Sequence, residues 1–290
     1  MAWVKIRRKL KTVTREQLKK WLPIRPRTGH KGDFGKILLL CGAVGYTGAP
    51  VLAARAALRT GAGLVYLGVP EPVYSIVAGN LIEPVVFPLP SENGTFSEAA
   101  IPAVLERLEN CDACLIGCGM GKNEDTFALV QAVLEQATCP VVLDADGINV
   151  LQGNINILRG AACPVILTPH EGEFARLGGD LRIGSRLQAV KLLQKELNAT
   201  LLLKGHRTLI CGEGESYVNC CGNPGMATGG SGDALAGIIV SLLGQGLSPV
   251  QAAAAGAWLH GTAGDLCARR LGEYGMLSTD LIEELPRLLK

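Results

Sequence analysis

The sequence predicts an α/β protein, a three-layer α/β/α sandwich with a mostly parallel central sheet. Three observations carry this. Short apolar runs alternate with longer stretches of helical periodicity from about residue 36 onward. The chain has 290 residues and is 48% hydrophobic, enough for a sizeable core. Aromatics are only 4%, so that core must be aliphatic and Ala/Gly-rich, and the 37 glycines read as tight turns and close approaches.

Residues 36–41 are the first expected strand, a continuous apolar run suited to a strand buried on both faces. Residues 48–60 follow with Ala-rich helical periodicity, then a strand at 64–69, a helix at 73–80 and a strand at 83–87. Residues 97–108 read as a helix with Ser97 as its N-cap. A strand at 112–117 and a helix at 125–137 come next, then strands at 141–144, 165–168 and 200–204 with helices between them. Near residue 207 the pattern changes, and 208–211 and 215–218 read as a hairpin around Gly212-Glu213-Gly214. Helices at 234–243, 249–271 and 279–289 close the chain. With no linker, repeat or low-complexity tract, a single domain is expected over 1–290. Residues 1–21 are its lead-in, with Lys5, Arg7, Arg8, Lys9 and Lys11 as a solvated basic run.

A formal net charge of +2 gives no support for nucleic-acid binding. No apolar run is long and uniform enough to span a membrane, and the N-terminus lacks the apolar core of a signal peptide. The ten cysteines are scattered, many of them in apolar strands, and read as free thiols of a cytoplasmic protein. Cys111-x-x-Cys114 with Cys118 lacks a second close ligand pair and falls on an expected strand, so zinc is not expected there.

In open α/β sheets, ligands bind at the carboxyl ends of the strands, and several polar motifs fall there. Gly42-Ala-Val-Gly45-Tyr-Thr-Gly48-Ala49 is spaced G-x-x-G-x-x-G, not as a dinucleotide fingerprint, and reads as a substrate loop or a tightly packed turn. Gly117-Cys-Gly119-Met-Gly121-Lys122 fails the P-loop pattern but is still a glycine loop at a strand end. Asp144 and Asp146 stand at i and i+2, on one face of an extended end, where they can hold Mg²⁺ through water; alternatively Asp146 caps the next helix. His170, after Thr168-Pro169 and before Glu171 and Glu173, either contacts a ligand or caps a helix. Lys204-Gly205 ends a strand in a turn through Thr208 that can line a nucleotide, with Lys204 facing its phosphates.

The most informative stretch is Asn223-Pro-Gly-Met-Ala-Thr-Gly-Gly-Ser-Gly-Asp233. A glycine-rich turn runs into an apolar helix with one carboxylate at the junction. Free N–H groups at a helix start attract anions, and Gly229, Gly230 and Gly232 let the backbone approach a ligand. Asp233 stands where a transferred phosphate and a substrate hydroxyl would meet, so the stretch points to phosphoryl chemistry.

Together these motifs resemble the ribokinase-like superfamily and, within it, the ADP/ATP-dependent NAD(P)H-hydrate dehydratases, over about residues 22–289. The resemblance rests on His30-Lys-Gly-Asp-Phe-Gly35, residues 45–49, Arg59-Thr-Gly-Ala-Gly63, Leu143-Asp-Ala-Asp-Gly147, Thr168-Pro-His-Glu-Gly-Glu173, residues 204–208 and residues 223–233. It implies a ribokinase-like fold and removal of water from the S-epimer of NADH or NADPH hydrate at the expense of ADP, giving AMP and phosphate, or of ATP, with Mg²⁺. It further implies that Ala49, Gly119, His170 and Asp233 contact the hydrate. Lys204, Gly205, His206, Arg207, Thr208 and Gly232 would hold the adenine nucleotide. Asp233 would be the catalytic group, an ionised and weak base beside a helix N-terminus. Gly229, Gly230, Ser231 and Gly232 would form the anion hole, and Glu173 is a candidate for magnesium. A homo-oligomer, a tetramer in many relatives, and a separate epimerase as functional partner are also expected. The alternative is a vitamin-precursor kinase of the same fold; a nucleotide-binding sensor without catalysis is disfavoured by the intact glycine loop and Asp233.

Overall fold

The computed structural model describes residues 10–290. Lys5, Arg7, Arg8 and Lys9 of the basic run lie outside the described residues. The elements in chain order are α1 (Arg15–Trp21), β1 (Lys36–Leu40), α2 (Gly48–Thr60), β2 (Leu64–Pro70), α3 (Tyr74–Ala78), β3 (Val85–Leu89), β4 (Ser91–Glu92), β5 (Thr95–Phe96), α4 (Ile101–Leu108), β6 (Ala113–Ile116), α5 (Glu124–Gln136) and β7 (Val141–Leu143). They continue with α6 (Asp146–Asn149), α7 (Asn156–Arg159), β8 (Val165–Leu167), α8 (Glu171–Arg176), α9 (Arg186–Leu197), β9 (Thr200–Leu203), β10 (Leu209–Cys211), β11 (Ser216–Val218), α10 (Ser231–Gly244), α11 (Pro249–Leu271) and α12 (Ser278–Leu288).

Nine strands form one sheet in the order β11-β10-β9-β8-β7-β6-β1-β2-β3. Pairing is parallel from β9 through β3 and antiparallel only where β10 and β11 add the expected hairpin. Because side chains alternate along a strand, β1 feeds two cores. Ile37, Leu39 and Cys41 join α2, α10, α11 and α12 on one face, while Leu38 and Leu40 join α4, α5 and α9 on the other. This is the three-layer sandwich with a mostly parallel sheet that the periodicity predicts.

Small residues set the spacing of the first layer. A Cβ on Gly237 of α10 would lie 2.2 Å from the carbonyl oxygen of Ala53 in α2, so only glycine lets these helices meet so closely. The segments His30–Gly35 and Arg59–Gly63 meet at the amino ends of β1 and β2, where the Gly63 N–H donates to the carbonyls of Phe34 (3.1 Å) and Gly35 (3.0 Å). They build the scaffold at the end of the sheet opposite the strand-end loops.

Some boundaries differ from expectation. Ser97 caps a 3₁₀ turn at Glu98–Ala100 with no side-chain hydrogen bond, and α4 begins only at Ile101, beside Pro102. The β4–β5 hairpin is additional. Lys11 is not simply solvated, for its backbone bridges Ser216 (3.1 Å) and Val218 (2.8 Å), its ammonium pairs with Glu215 and lies 5.6 Å from the Tyr217 ring centroid. α1 likewise docks Leu18 into the core, with Trp21 edge-on to Tyr217 at 5.8 Å.

Candidate active site

Along the carboxyl ends of the strands, the sheet order converts distant sequence positions into one row. The chain runs outward from β1 to β3, then returns to β6 on the other side of β1, so β1 and β6 flank a topological switch point, where open sheets bind ligands. Ala49 follows β1 and Gly119 follows β6. They face each other there, for a Cβ on Gly119 would lie 3.1 Å from that of Ala49 and 2.9 Å from that of Tyr46. Gly119 has φ +65°, so glycine is needed for both conformation and space. The β4–β5 hairpin buttresses both loops: the Val44 N–H donates to Gly94 O (2.9 Å) and the Asn123 amide to Thr95 Oγ1 (2.8 Å).

The next position holds the two aspartates after β7. They do not share a face. Ala145 between them takes φ +48°, a strained conformation for a side-chain-bearing residue, and the chain turns there. Asp146 opens α6, accepts from the Gly121 N–H at 2.9 Å and so secures the Gly119 loop. Asp144 is 1% exposed and accepts at Oδ1 from Lys204 Nζ and from Thr168 Oγ1, both at 2.8 Å.

His170 and Glu173 form a reciprocal cap at the start of α8. His170 Nδ1 accepts from the N–H groups of Gly172 (3.0 Å) and Glu173 (3.3 Å), while Glu173 Oε2 accepts from the His170 N–H at 2.9 Å. The half-exposed ring of His170 thus caps the helix, with its Nε2 3.4 Å from Glu173 Oε1. Glu173 is buried, and its Oε2 lies 3.7 Å from Lys204 Nζ. Its carboxylate is engaged by the helix cap and by the lysine, and it is not among the side chains that gather as cation donors.

Lys204, expected to face nucleotide phosphates, is paired with Asp144. Burial opposes its charge, yet Asp144 and Glu173 outweigh that and raise its pKa. Its Nζ would stand 3.7 Å from a Cβ on Gly232, so the paired ammonium still borders the glycine loop. The turn after it is shaped by its backbone. Gly205 has φ +137° and Arg207 φ +55°, and Thr208 Oγ1 donates to Gly205 O at 3.0 Å. Arg186, which the sequence reading missed, clamps the turn by donating to the carbonyls of Lys204 (3.0 Å) and His206 (2.9 Å).

Opposite this row, the glycine loop enters α10. Gly230 caps the helix at φ +83° without a side-chain hydrogen bond. Among the described residues no carbonyl or side chain accepts from the N–H groups of Gly229, Gly230 or Gly232, while that of Ser231 reaches Thr228 O at 3.4 Å. Three anchors hold the loop. Asp265 accepts from the Gly222 N–H (3.0 Å) and the Asn223 amide (3.1 Å), Ser278 Oγ donates to Gly229 O (3.0 Å), and His260 Nε2 lies 3.2 Å from Ser231 Oγ. Burial pushes the His260 imidazole down to about 4, so it is neutral. These anchors come from α11 and α12, and single polar residues on long apolar helices give little signal in sequence.

Asp233 stands at the first turn of α10, its carboxylate within 4.8 Å of the donor atoms of both Asp144 and Cys118. A helix N-terminus alone would favour the ionised form. Burial, and then the charge of Asp144, outweigh it and push the Asp233 carboxyl up to about 6. The expected weak base is therefore a base poised near neutrality.

A model of the NAD(P)H-hydrate dehydratase family matches residues 37–287. The chain is 45% identical to a bifunctional NAD(P)H-hydrate repair enzyme of Moorella thermoacetica over 93% of this chain and 52% of that protein, so it spans about half the length of the curated relatives of this kind. It is 38% identical to an ADP-dependent (S)-NAD(P)H-hydrate dehydratase of Neisseria meningitidis over 89% of this chain and 86% of that one. Its fold superposes on the ADP/ATP-dependent NAD(P)H-hydrate dehydratase of Bacillus subtilis, crystallised with ATP and Mg²⁺, with a TM-score of 0.80, 29% identity and coverage of 97% and 98%. A solved ribokinase-like protein shares the architecture, with a TM-score of 0.83.

Proposed function

Since the chain belongs to the NAD(P)H-hydrate dehydratase family, we propose that it dehydrates the S-epimer of NADH or NADPH hydrate, with ADP or ATP as phosphoryl donor. The observation that carries this reading is the poised Asp233 at the start of α10, facing Asp144 and Lys204 beside the free N–H groups of the glycine loop.

The hydrate carries a hydroxyl on its ring, and hydroxide is a poor leaving group at neutral pH. Ala49, Gly119 and His170 would seat the ring at the switch point, with its hydroxyl toward Asp233. The backbone turn of residues 204–208 and Gly232 would hold the adenine nucleotide, with its terminal phosphate against the N–H groups of residues 229–232. Asp233 orients the hydroxyl and takes its proton as the oxygen–phosphorus bond forms and the nucleotide leaves, as AMP when ADP is the donor. The ring nitrogen lone pair then expels phosphate to leave a ring iminium, and loss of a proton to solvent from the adjacent ring carbon restores the reduced nicotinamide. The protein supplies positioning and charge stabilisation.

Mg²⁺ fits the carboxylates of the site, because Asp144 and Asp233 bring donor atoms within 4.8 Å of each other and one ammonium, Lys204, pairs with Asp144. When bound with the nucleotide it would neutralise phosphate charge, and Asp144 would hold it. Asp146 is engaged by Gly121, and Glu173 by its cap, which makes both weaker candidates.

The ten cysteines are all free, which supports a reducing, cytoplasmic setting, and no described helix is long and apolar enough to cross a membrane. Exposed Tyr74, Ile76, Ile82 and Val85 beside the open edge of β3 support a homo-oligomer, with the tetramer as the specific expectation; light scattering on the eluted protein tests it. An NAD(P)H-hydrate epimerase is the proposed functional partner.

The direct test mixes purified protein with NADH hydrate, Mg²⁺ and ADP or ATP, and follows the near-ultraviolet absorbance of the reduced nicotinamide. Recovery that requires one nucleotide supports the reading and names the donor. No recovery with either, from folded protein that binds nucleotide, overturns it in favour of a small-molecule kinase.

A further inference from the structure

Cys118 is a residue the proposed reaction does not use, yet it lies against the reacting groups. Its thiol, one oxygen of Asp144 and one of Asp233 all fall within 4.8 Å of one another. The three side chains come from the ends of β6 and β7 and the start of α10, elements packed rigidly into the core. Asp144 divides its carboxylate. Oδ1 takes the Lys204 and Thr168 hydrogen bonds, while Oδ2 accepts from Cys118 Sγ, at 3.9 Å, and lies 3.7 Å from where a Gly232 Cβ would stand. That carboxylate is buried, and its Oδ2, bonded by a weak thiol donor, faces the space that Asp233 also borders. The surrounding charge is negative even with Lys204 counted, which favours a dication. One sulfur and two carboxylate oxygens form the donor set of a borderline-soft ion, whereas Mg²⁺ gains nothing from sulfur.

We propose that Cys118, Asp144 and Asp233 form a binding site for a thiophilic divalent cation of the zinc class, which blocks the site by occupying the base. Lys204 keeps Oδ1 while the ion takes Oδ2. The thiol releases its proton to solvent as the sulfur–metal bond forms. Bonds of about 2.0–2.3 Å require the three donors to close in by roughly 1 Å, and the fourth position is left to water.

Cobalt(II) is the probe, added to the 290-residue chain in which Cys220→Ser and Cys221→Ser remove the thiols that are not buried. The expected result is a thiolate-to-cobalt charge-transfer band in the near ultraviolet, with visible bands of tetrahedral type. These saturate at a single equivalent and are displaced by Zn²⁺ but not by Mg²⁺. Cys118→Ser should abolish the charge-transfer band, and Asp233→Asn should weaken binding about tenfold or more while keeping it. Absence of the band in folded protein, or its survival in Cys118→Ser, overturns the proposal. X-ray absorption of the zinc-loaded protein needs no change at Cys118, and a first shell without sulfur overturns it equally. That Zn²⁺ also inhibits turnover rests on the dehydratase reading; the spectra do not, so failure of one is distinguishable from failure of the other.

Discussion

Asp233 concentrates the chemistry of the site and carries a cost in stability. Its carboxyl is raised from the ordinary value of 3.8 to about 6, so the folded chain binds that proton more tightly than the unfolded one. The resulting penalty is absent where both states are protonated, grows as pH rises through this window, and is complete above about 6. Asp233→Asn should therefore melt higher than the wild type at pH 7.5, by on the order of 2 kcal/mol, with the gap closing near pH 4. Thermal melts at the two pH values check this. The same substitution should cut turnover about 10²–10⁴-fold with nucleotide binding retained, since it removes the base and leaves the backbone cradle intact. Near-normal turnover would remove Asp233 from the mechanism. Asp144 is the second-largest cause of the upward shift. In Asp144→Asn the acid limb of the pH–rate profile should accordingly move below its wild-type position near 6, because one negative neighbour is lost.

At the scale of elements, short connections do the positioning. The turn from Lys204 to Arg207 is held by the Arg186 guanidinium at the start of α9. Arg186→Ala should raise the nucleotide KM about tenfold with little change in kcat, the loss of charge-assisted hydrogen bonds that shape a binding turn. Steady-state kinetics separate this from a fall in kcat, which would mean that the turn also positions the reacting phosphate. Gly230 is the corresponding hinge of the glycine loop. A Cβ there would meet Leu52 Cδ1 at 2.2 Å, and φ is +83°. Gly230→Ala should cost about 1–2 kcal/mol in a denaturant titration for its backbone conformation alone, before the clash is counted.

At the scale of the whole molecule, the sandwich holds together because α10 and α2 press backbone to backbone across Gly237 and Ala53. Gly237→Val should destabilise the entire fold by at least about 1–3 kcal/mol, seen as a lower Tm by every probe, because the added methyls meet backbone that cannot yield. Strand-end loops gather on one rim through the sheet order alone, and Ala49, Gly119, Asp144, His170 and Lys204 become neighbours in that order.

The sequence by itself determined the alternation of strands and helices, the antiparallel hairpin after Lys204 and the glycine loop ahead of Asp233, because periodicity and turn chemistry are local. Two further signals are equally local: Asn93-Gly94 forms the β4–β5 turn with φ +50° and +81°, and Thr14 with Gln17 marks the start of α1. Tertiary structure alone decided which charges meet. Asp144 and Asp146 looked alike in sequence, yet a strained Ala145 sends one to Lys204 and the other to Gly121. Lys204 is paired because Asp144 and Glu173 are brought to it from two other strand ends. The proton affinity of Asp233 follows its burial and the Asp144 charge, 89 positions away along the chain. Electrostatic energies depend on distance through space and on exclusion of water, and neither is written in the order of residues.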